Sequence, residues 1–168
     1  EWLQLSGAWA RERHIHTRQL APGVQRVGSI RGTSSHNPNP FVALNRREPT
    51  ETQGEAIGFS LIYSGNFLAQ AEVDSWGVTR LTMGIHPFGF AWKLAPGEAF
   101  QTPEAVMGYT DDGVNGLSQT FHRPYQTWIA HGYWCGCPRP NSLKHRGGAY
   151  FDFCAEKLLC FGKISEET

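Results

Sequence analysis

The residues best able to do acid, base or nucleophilic chemistry here are the aspartates Asp74, Asp111, Asp112 and Asp152. Each has a structural role open to it. Asp74 lies in Asp74-Ser75-Trp76-Gly77, where a carboxylate bonds local backbone in a turn. Asp111 and Asp112 precede a helical pattern and read as caps that place negative charge at a helix N-terminus. Asp152 falls in Tyr150-Phe151-Asp152-Phe153. Glu12, Glu72 and Glu104 sit in strand-like runs and read as sheet-face partners. His14 and His16, two apart, share one face of a strand, but a metal site needs a third ligand and none is in view. Ser35-His36 lies in a polar loop with no nucleophile-elbow pattern, so its expected work is bonding backbone groups. His122 reads as a packing histidine. Trp76 and Trp92 are the right type to stack on a sugar, but their expected place is a sandwich core. The cysteines Cys135, Cys137, Cys154 and Cys160 match neither a zinc spacing nor a disulfide framework. The residues therefore nominate no catalytic group, no metal site and no cofactor.

Composition narrows the class. The chain has 168 residues, 40% hydrophobic and 18% charged, which suits one sizeable globular unit. Fifteen basic and fifteen acidic residues cancel, and no basic run exists, so no nucleic-acid partner is expected. No apolar stretch approaches the ~18 residues that span a bilayer, so no membrane partner is expected. The chain opens at Glu1 with strand-like residues, and the expectation is that an upstream part is missing. The compartment is then not legible.

The elements that must position these groups are mostly strands. Trp2, Leu3 and Leu5, then Ala10 to Leu20, then Val24 to Ile30 read as strand-like runs, split by Pro22-Gly23. Residues 32–40 form a proline-punctuated loop, and 45–53 an exposed connection. Ile57, Phe59, Leu61 and Tyr63 repeat at period two, as do Phe67, Ala69, Ala71 and Val73, and then Leu81, Met83 and Ile85. With Ser64-Gly65-Asn66 as a hairpin turn, these three runs predict one antiparallel meander with one buried face. Phe88, Phe90, Trp92 and Leu94 alternate as a further strand, and 99–109 holds one or two more. One convincing helix starts near Asp111 or Asp112, with Val114, Leu117, Phe121, Tyr125 and Trp128 on its apolar stripe. Pro124 predicts a kink or an early end, because a mid-helix proline costs roughly 3 kcal/mol. Ala155, Leu158, Leu159 and Ile164 suggest a second, short helix.

Several stretches stand in a fixed order: Trp9-Ala10-Arg11-Glu12-Arg13, Arg31-Gly32-Thr33-Ser34-Ser35-His36, Asn39-Pro40-Phe41, Gly58-Phe59-Ser60-Leu61-Ile62-Tyr63-Ser64-Gly65-Asn66-Phe67, Thr102-Pro103-Glu104-Ala105-Val106 and Gly116-Leu117-Ser118-Gln119-Thr120-Phe121-His122. In this order and spacing they resemble the N-terminal domain of family 36 glycoside hydrolases, the bacterial and fungal α-galactosidase (melibiase) type. The resemblance runs nearly without gaps from residue 3 to 131 and more weakly to 160. It implies a mainly β fold: an antiparallel β-supersandwich, galactose mutarotase-like, with one helix. An incomplete start of a (β/α)8 barrel would follow. The implied layout is 1–131 as part of the sandwich domain, 132–149 as a linker or aberrant segment, and 150–168 as a stub of the catalytic barrel.

The same resemblance implies a retaining α-galactosidase that removes terminal α-linked galactose from galacto-oligosaccharides. Its nucleophile and acid/base would be barrel aspartates downstream of this chain. Retention needs two carboxyl groups roughly 5–5.5 Å apart, and a barrel needs about 200 residues or more. The expectation is thus a supporting piece, inactive alone, whose parent is a homo-oligomer acting on α-galactosides, cytoplasmic if of bacterial type. The sandwich face that rests on the barrel would be bare, which predicts self-association. Between Arg139-Pro140 and Tyr150-Phe151-Asp152-Phe153 the family reads Val-Leu-Ile-Asn-Asn-Trp-Glu-Ala-Thr. Here the residues are Asn141-Ser142-Leu143-Lys144-His145-Arg146-Gly147-Gly148-Ala149, with the family's Trp falling on Arg146 and its Glu on Gly147. Length kept with content lost fits a compensated pair of frameshifts, which resequencing codons 135–149 tests. The competing readings are a non-catalytic carbohydrate-binding β-sandwich module and a pseudogene product.

Overall fold

A computed structural model describes residues 1–46, 49–130, 132–133, 136–137 and 154. Glu1–Tyr125 forms one compact unit and Gln126–Thr168 a second. The first is mainly β, as expected: two antiparallel sheets and one helix. Its strands are β1 (Trp2–Ala8), β2 (Arg11–Arg18), β3 (Gly23–Ser29), β4 (Phe41–Asn45), β5 (Ala56–Ile62), β6 (Phe67–Val73), β7 (Thr79–Ile85) and β8 (Glu104–Thr110), and its helix is α1 (Gly113–Pro124). The larger sheet runs β2-β1-β4-β5-β8 and the smaller β3-β6-β7.

Two cores result, one on each face of the larger sheet. Trp2 and Val42 from that sheet meet Val27, Ala69 and Ala71 from the smaller one, with Phe59, Leu81 and Met83 packed around them. The odd-numbered side chains of β1, Leu3 and Leu5, point the other way. With Ala43 and Ala56 they meet Leu117 and Phe121 of α1. Both faces of β5 are therefore covered, and the alternation Ile57, Phe59, Leu61 accounts for only one of them. Trp2 is fully buried, its indole N–H donates to Gln4 Oε1 at 2.9 Å, and the Arg18 guanidinium lies 5.3 Å from its ring.

The expected three-strand meander does not form. β5 pairs with β4 and β8, whereas β6 pairs with β3 and β7. Ser64-Gly65-Asn66 is thus a crossover between layers and not a hairpin. The loop at 31–36 fastens it. Gly32 N donates to Asn66 Oδ1 at 2.6 Å, Ser34 N donates to Ser64 O at 2.7 Å, and the Ser34 hydroxyl donates to Tyr63 O at 3.1 Å. Phe67 drops into the interior directly after it and is fully buried. By contrast β6 and β7 do form a hairpin through Asp74, whose Oδ1 accepts from Trp76 N and Val78 N at 2.8 and 2.9 Å.

Other expectations are corrected as well. Residues 86–103 carry no strand, so Phe88, Phe90, Trp92 and Leu94 are not a strand face, and all are exposed. Asp112 occupies the N-cap position of α1 but makes no side-chain cap bond. The free amides of the first turn are satisfied by the 50–54 loop instead: Gly113 N donates to Gly54 O, Val114 N to Thr50 O and Asn115 N to Glu51 O. Gly113 has φ 70°, and a Cβ there would sit 2.5 Å from Thr50 O, so the junction takes glycine alone. At Pro124 the α-helix does end, passing into a π-helical turn, Tyr125–Ile129. Trp128, placed on the apolar stripe, is exposed. The frameshift reading of 141–149 and the second-helix reading fall outside the described residues, as do most of the 132–149 segment and all of the barrel-stub residues but Cys154. Among the described residues no helix is long and apolar enough to cross a membrane.

Candidate functional site

The best-formed concavity lies between the outer face of the larger sheet and α1. Its origin is a pair of glycines. Gly58 of β5 stands directly opposite Gly108 of β8. A Cβ at Gly58 would come within 2.5 Å of the Phe121 ring, and one at Gly108 within 3.1 Å. The missing side chains let Phe121 lie on the sheet, where it meets Phe41 edge to face at 5.3 Å. Next to it the Tyr125 and Ser60 hydroxyls share a hydrogen bond of 2.5 Å. The space left over is a cleft of about 480 Å³ between Leu5, Ile15, Phe41, Val114 and Phe121, with Arg13, Asn39 and His122 among its polar lining residues. That size falls in the small-molecule range of roughly 300–1,000 Å³. Its lining includes no carboxylate, so it can bind apolar surface but holds no acid/base pair.

A second, polar region lies on the opposite face of β1 and β2. Gln4 pairs with His16 and Ser6 with His14, and Trp2 pairs with Arg18. Arg11, His14, His16 and Asn37 line a shallow depression with Ser6. β2 bulges here: the register slips between Ser6 and Ala8, and Ala10 and Arg13 take φ of 64° and 59°. Beyond the bulge, Glu12, Ser34, Ser35, His36 and Asn39 line a third depression.

The sequence candidates are scattered over these surfaces. Asp74 closes a hairpin, and Asp111 and Asp112 join β8 to α1. The Glu12 carboxylate accepts from Ala10 N at 3.0 Å. Glu72 stands opposite Arg80, and Glu104 opposite Ile62. Ser35 bonds the backbone of Asn37, donating to its carbonyl at 3.3 Å and accepting from its amide at 3.2 Å. His122 is exposed on α1 and not packed as expected; its Nδ1 lies 3.5 Å from the Ser118 hydroxyl, one helical turn back. Among the described residues no third group orients that pair in the way nucleophilic catalysis requires. Trp76 and Trp92, expected in a core, are 89% and 61% exposed. Among the described residues no group of three His, Cys, Asp or Glu side chains could hold a metal. Cys137 and Cys154 are exposed free thiols, while Asp152, Cys135 and Cys160 fall outside the described residues.

Sequence reasoning missed one electrostatic cluster. The Tyr109 hydroxyl donates to Glu55 Oε1 at 3.1 Å, and Arg46 Nε meets Glu55 Oε2 at 2.5 Å. The hydrogen bond to the carboxylate, then desolvation and the negative charges of Glu55 and Asp111, hold the phenol above its usual value, with Arg46 opposing. Arg46 and Glu55 flank the connection between β4 and β5, and Tyr109, 54 positions beyond Glu55, joins them because β8 pairs with the other side of β5. No local pattern announces them.

Against known proteins, residues 1–95 match the glycosyl hydrolase family 36 N-terminal domain, and residues 99–168 match the melibiase family. Alpha-galactosidase AgaA of Geobacillus stearothermophilus is 51% identical over 167 residues, covering 99% of this chain and 23% of that protein. Alpha-galactosidase C of Emericella nidulans is 44% identical over 151 residues, 90% of this chain and 20% of its own length. Among solved structures, a variant of the Geobacillus enzyme in complex with raffinose superimposes with a TM-score of 0.86 at 51% identity, covering 99% of this chain and 23% of that one. The α-galactosidase of Lactobacillus brevis does so at 0.82 and 42% identity, covering 99% and 22%. The chain thus spans about a quarter of the length of the relatives it matches.

Proposed function

The chain belongs to glycoside hydrolase family 36, and on that premise we propose that it is a supporting portion of a retaining α-galactosidase, inactive when isolated. The parent's substrates are oligosaccharides ending in α-linked galactose, and the parent is a homo-oligomer. Its nucleophile and acid/base are carboxylates outside the surfaces described above. One observation carries the inactivity: the best-formed cleft includes no carboxylate in its lining, and Asp74, Asp111 and Asp112 are spent in a turn and a strand-helix junction. Hydrolysis with retention needs two carboxyls facing each other across the bond. The layout proposed is 1–131 as sandwich, 132–149 as linker and 150–168 as barrel start. The purified 168-residue protein is expected to release no p-nitrophenol from p-nitrophenyl α-galactoside above the uncatalysed rate. Sustained turnover that survives repurification would overturn the reading.

A second reading, a non-catalytic carbohydrate-binding module, is favoured by one feature. Phe90 and Trp92 are exposed and gather around Phe100, with ring centroids 5.9 and 5.2 Å away. Such rings can stack on a sugar face. Calorimetric titration with raffinose separates the two: millimolar or tighter binding that Trp92→Ala abolishes supports the module.

A further inference from the structure

We propose that the larger sheet holds an internal water molecule on the face covered by α1, bound between the Asn45 amide and the Thr110 hydroxyl. Asn45 is 5% exposed, and neither its Oδ1 nor its Nδ2 has a hydrogen-bond partner among the described residues. Burying an amide without a partner is costly, and protein interiors answer that cost with protein groups or ordered water. The register shows where the answer lies. Asn45 stands opposite Ala56 of β5, and Ala56 stands opposite Thr110 of β8. Side chains directly opposite one another share a face of the sheet. Ala56 belongs to the core that Leu117 and Phe121 of α1 complete. The amide, the methyl group and the hydroxyl therefore form one row on the covered face, and Ala56 and Thr110 are 0% and 7% exposed.

The dimensions suit a single water. Two strand spacings of about 4.8 Å put the Asn45 and Thr110 backbones roughly 10 Å apart. The reach of an amide and of a hydroxyl reduces this to about 5–6 Å between polar atoms, the length of two hydrogen bonds end to end. Between them stands only the methyl group of Ala56. At the Thr110 end the helix closes the row: a Cβ on Gly116 would come within 2.7 Å of Thr110 Oγ1. On its other side Asn45 is bonded through the main chain to Glu1, with Glu1 N donating to Asn45 O at 2.6 Å and Asn45 N to Glu1 O at 2.9 Å. Ala56 is thus the short side chain beside the amide. The donors and acceptors match as well. Thr110 Oγ1 accepts from Asp112 N at 3.1 Å, which leaves the hydroxyl proton to donate. A water can accept that proton and donate to Asn45 Oδ1, making the two or more bonds that internal waters make.

The test is a water-selective NOE measurement on the 168-residue protein, joined to a double-mutant cycle of Asn45→Leu and Thr110→Val in urea. In the wild-type chain the Ala56 methyl group and the Asn45 side-chain amide are expected to show cross-peaks to a long-lived water. The Ala56 cross-peak should vanish in either variant. In the cycle the two substitutions are expected to couple by a factor of about three or more in the unfolding equilibrium constant, because either one alone already releases the water. Side chains roughly 10 Å apart that share no partner would instead act independently. A folded wild-type chain without the cross-peak would overturn the proposal, and that spectrum decides even where a variant fails to fold. Additive effects in the cycle would overturn it too.

Discussion

Gly58 and Gly108 show how much one absent side chain can decide. Each lies in a strand, where glycine is normally a weakness, and together they make the flat seat on which Phe121 rests. Gly58→Ala puts a methyl group 2.5 Å from a ring that is already packed against Phe41, so the ring must shift. The expected cost is about 1–3 kcal/mol, read as a lower urea midpoint with an unchanged slope. Tyr109 offers a second test at the same scale. Its phenol is held above the ordinary value of 10.0, first by the hydrogen bond to Glu55. The folded state therefore keeps its proton longer than the unfolded chain does. The resulting stabilisation is present below pH 10 and is lost as pH rises through the folded value. In an ultraviolet titration, the wild-type minus Tyr109→Phe difference should show a midpoint above 10 that Glu55→Gln moves back toward it.

Among the elements, the crossover at 64–66 has the largest consequence for the fold. It carries the chain from one sheet to the other, and its own side-chain fastening is Asn66, which takes the Gly32 amide at 2.6 Å. Asn66→Ala leaves that amide without its acceptor, and the expected loss is about 1 kcal/mol, within the roughly 0.5–1.5 kcal/mol usual for such a bond. Amide exchange should rise at Gly32 and Ser34 and stay unchanged in the β6–β7 hairpin, which Asp74 holds independently. Equal acceleration in both places would show that the crossover is not a separate fastening. α1 makes a comparable point: backbone carbonyls of the 50–54 loop hold its first turn, so the aspartates before it are dispensable as caps. Asp112→Ala should then change stability by less than the roughly 0.5–2 kcal/mol of a true N-cap loss.

At the scale of the whole molecule, exposed apolar surface is the feature that organises behaviour. Trp9, Trp76, Phe88, Trp92 and Met107 all lie in solvent. A soluble monomer seldom leaves that much bare, and such patches mark contact sites. The chain spans about a quarter of its relatives, so part of this surface fits a role as support for the rest of an α-galactosidase. The 168-residue chain is therefore expected to self-associate over a concentration series in sedimentation velocity, and a chain that stays monomeric throughout would count against that reading.

Most of the elements were legible in the sequence but the candidate site was not, and the limits of that legibility have a physical origin. Period-two alternation at 57–62, 67–73 and 81–85 and the stripe Val114, Leu117, Phe121 are local signals. They depend on backbone geometry within a few residues, so the strands and the helix could be read directly. The ordered motifs from Trp9 to His122 likewise carried the family. Only the tertiary structure decided which strand joins which sheet, because a turn such as Ser64-Gly65-Asn66 can close a hairpin or cross between layers with the same local chemistry. It alone decided that Trp2 is core while Trp76 and Trp92 face solvent, since burial depends on what the opposite sheet supplies. It also brought Tyr109 to Glu55 and set Gly58 against Gly108, through pairings between residues dozens of positions apart that leave no trace in the spacing along the chain.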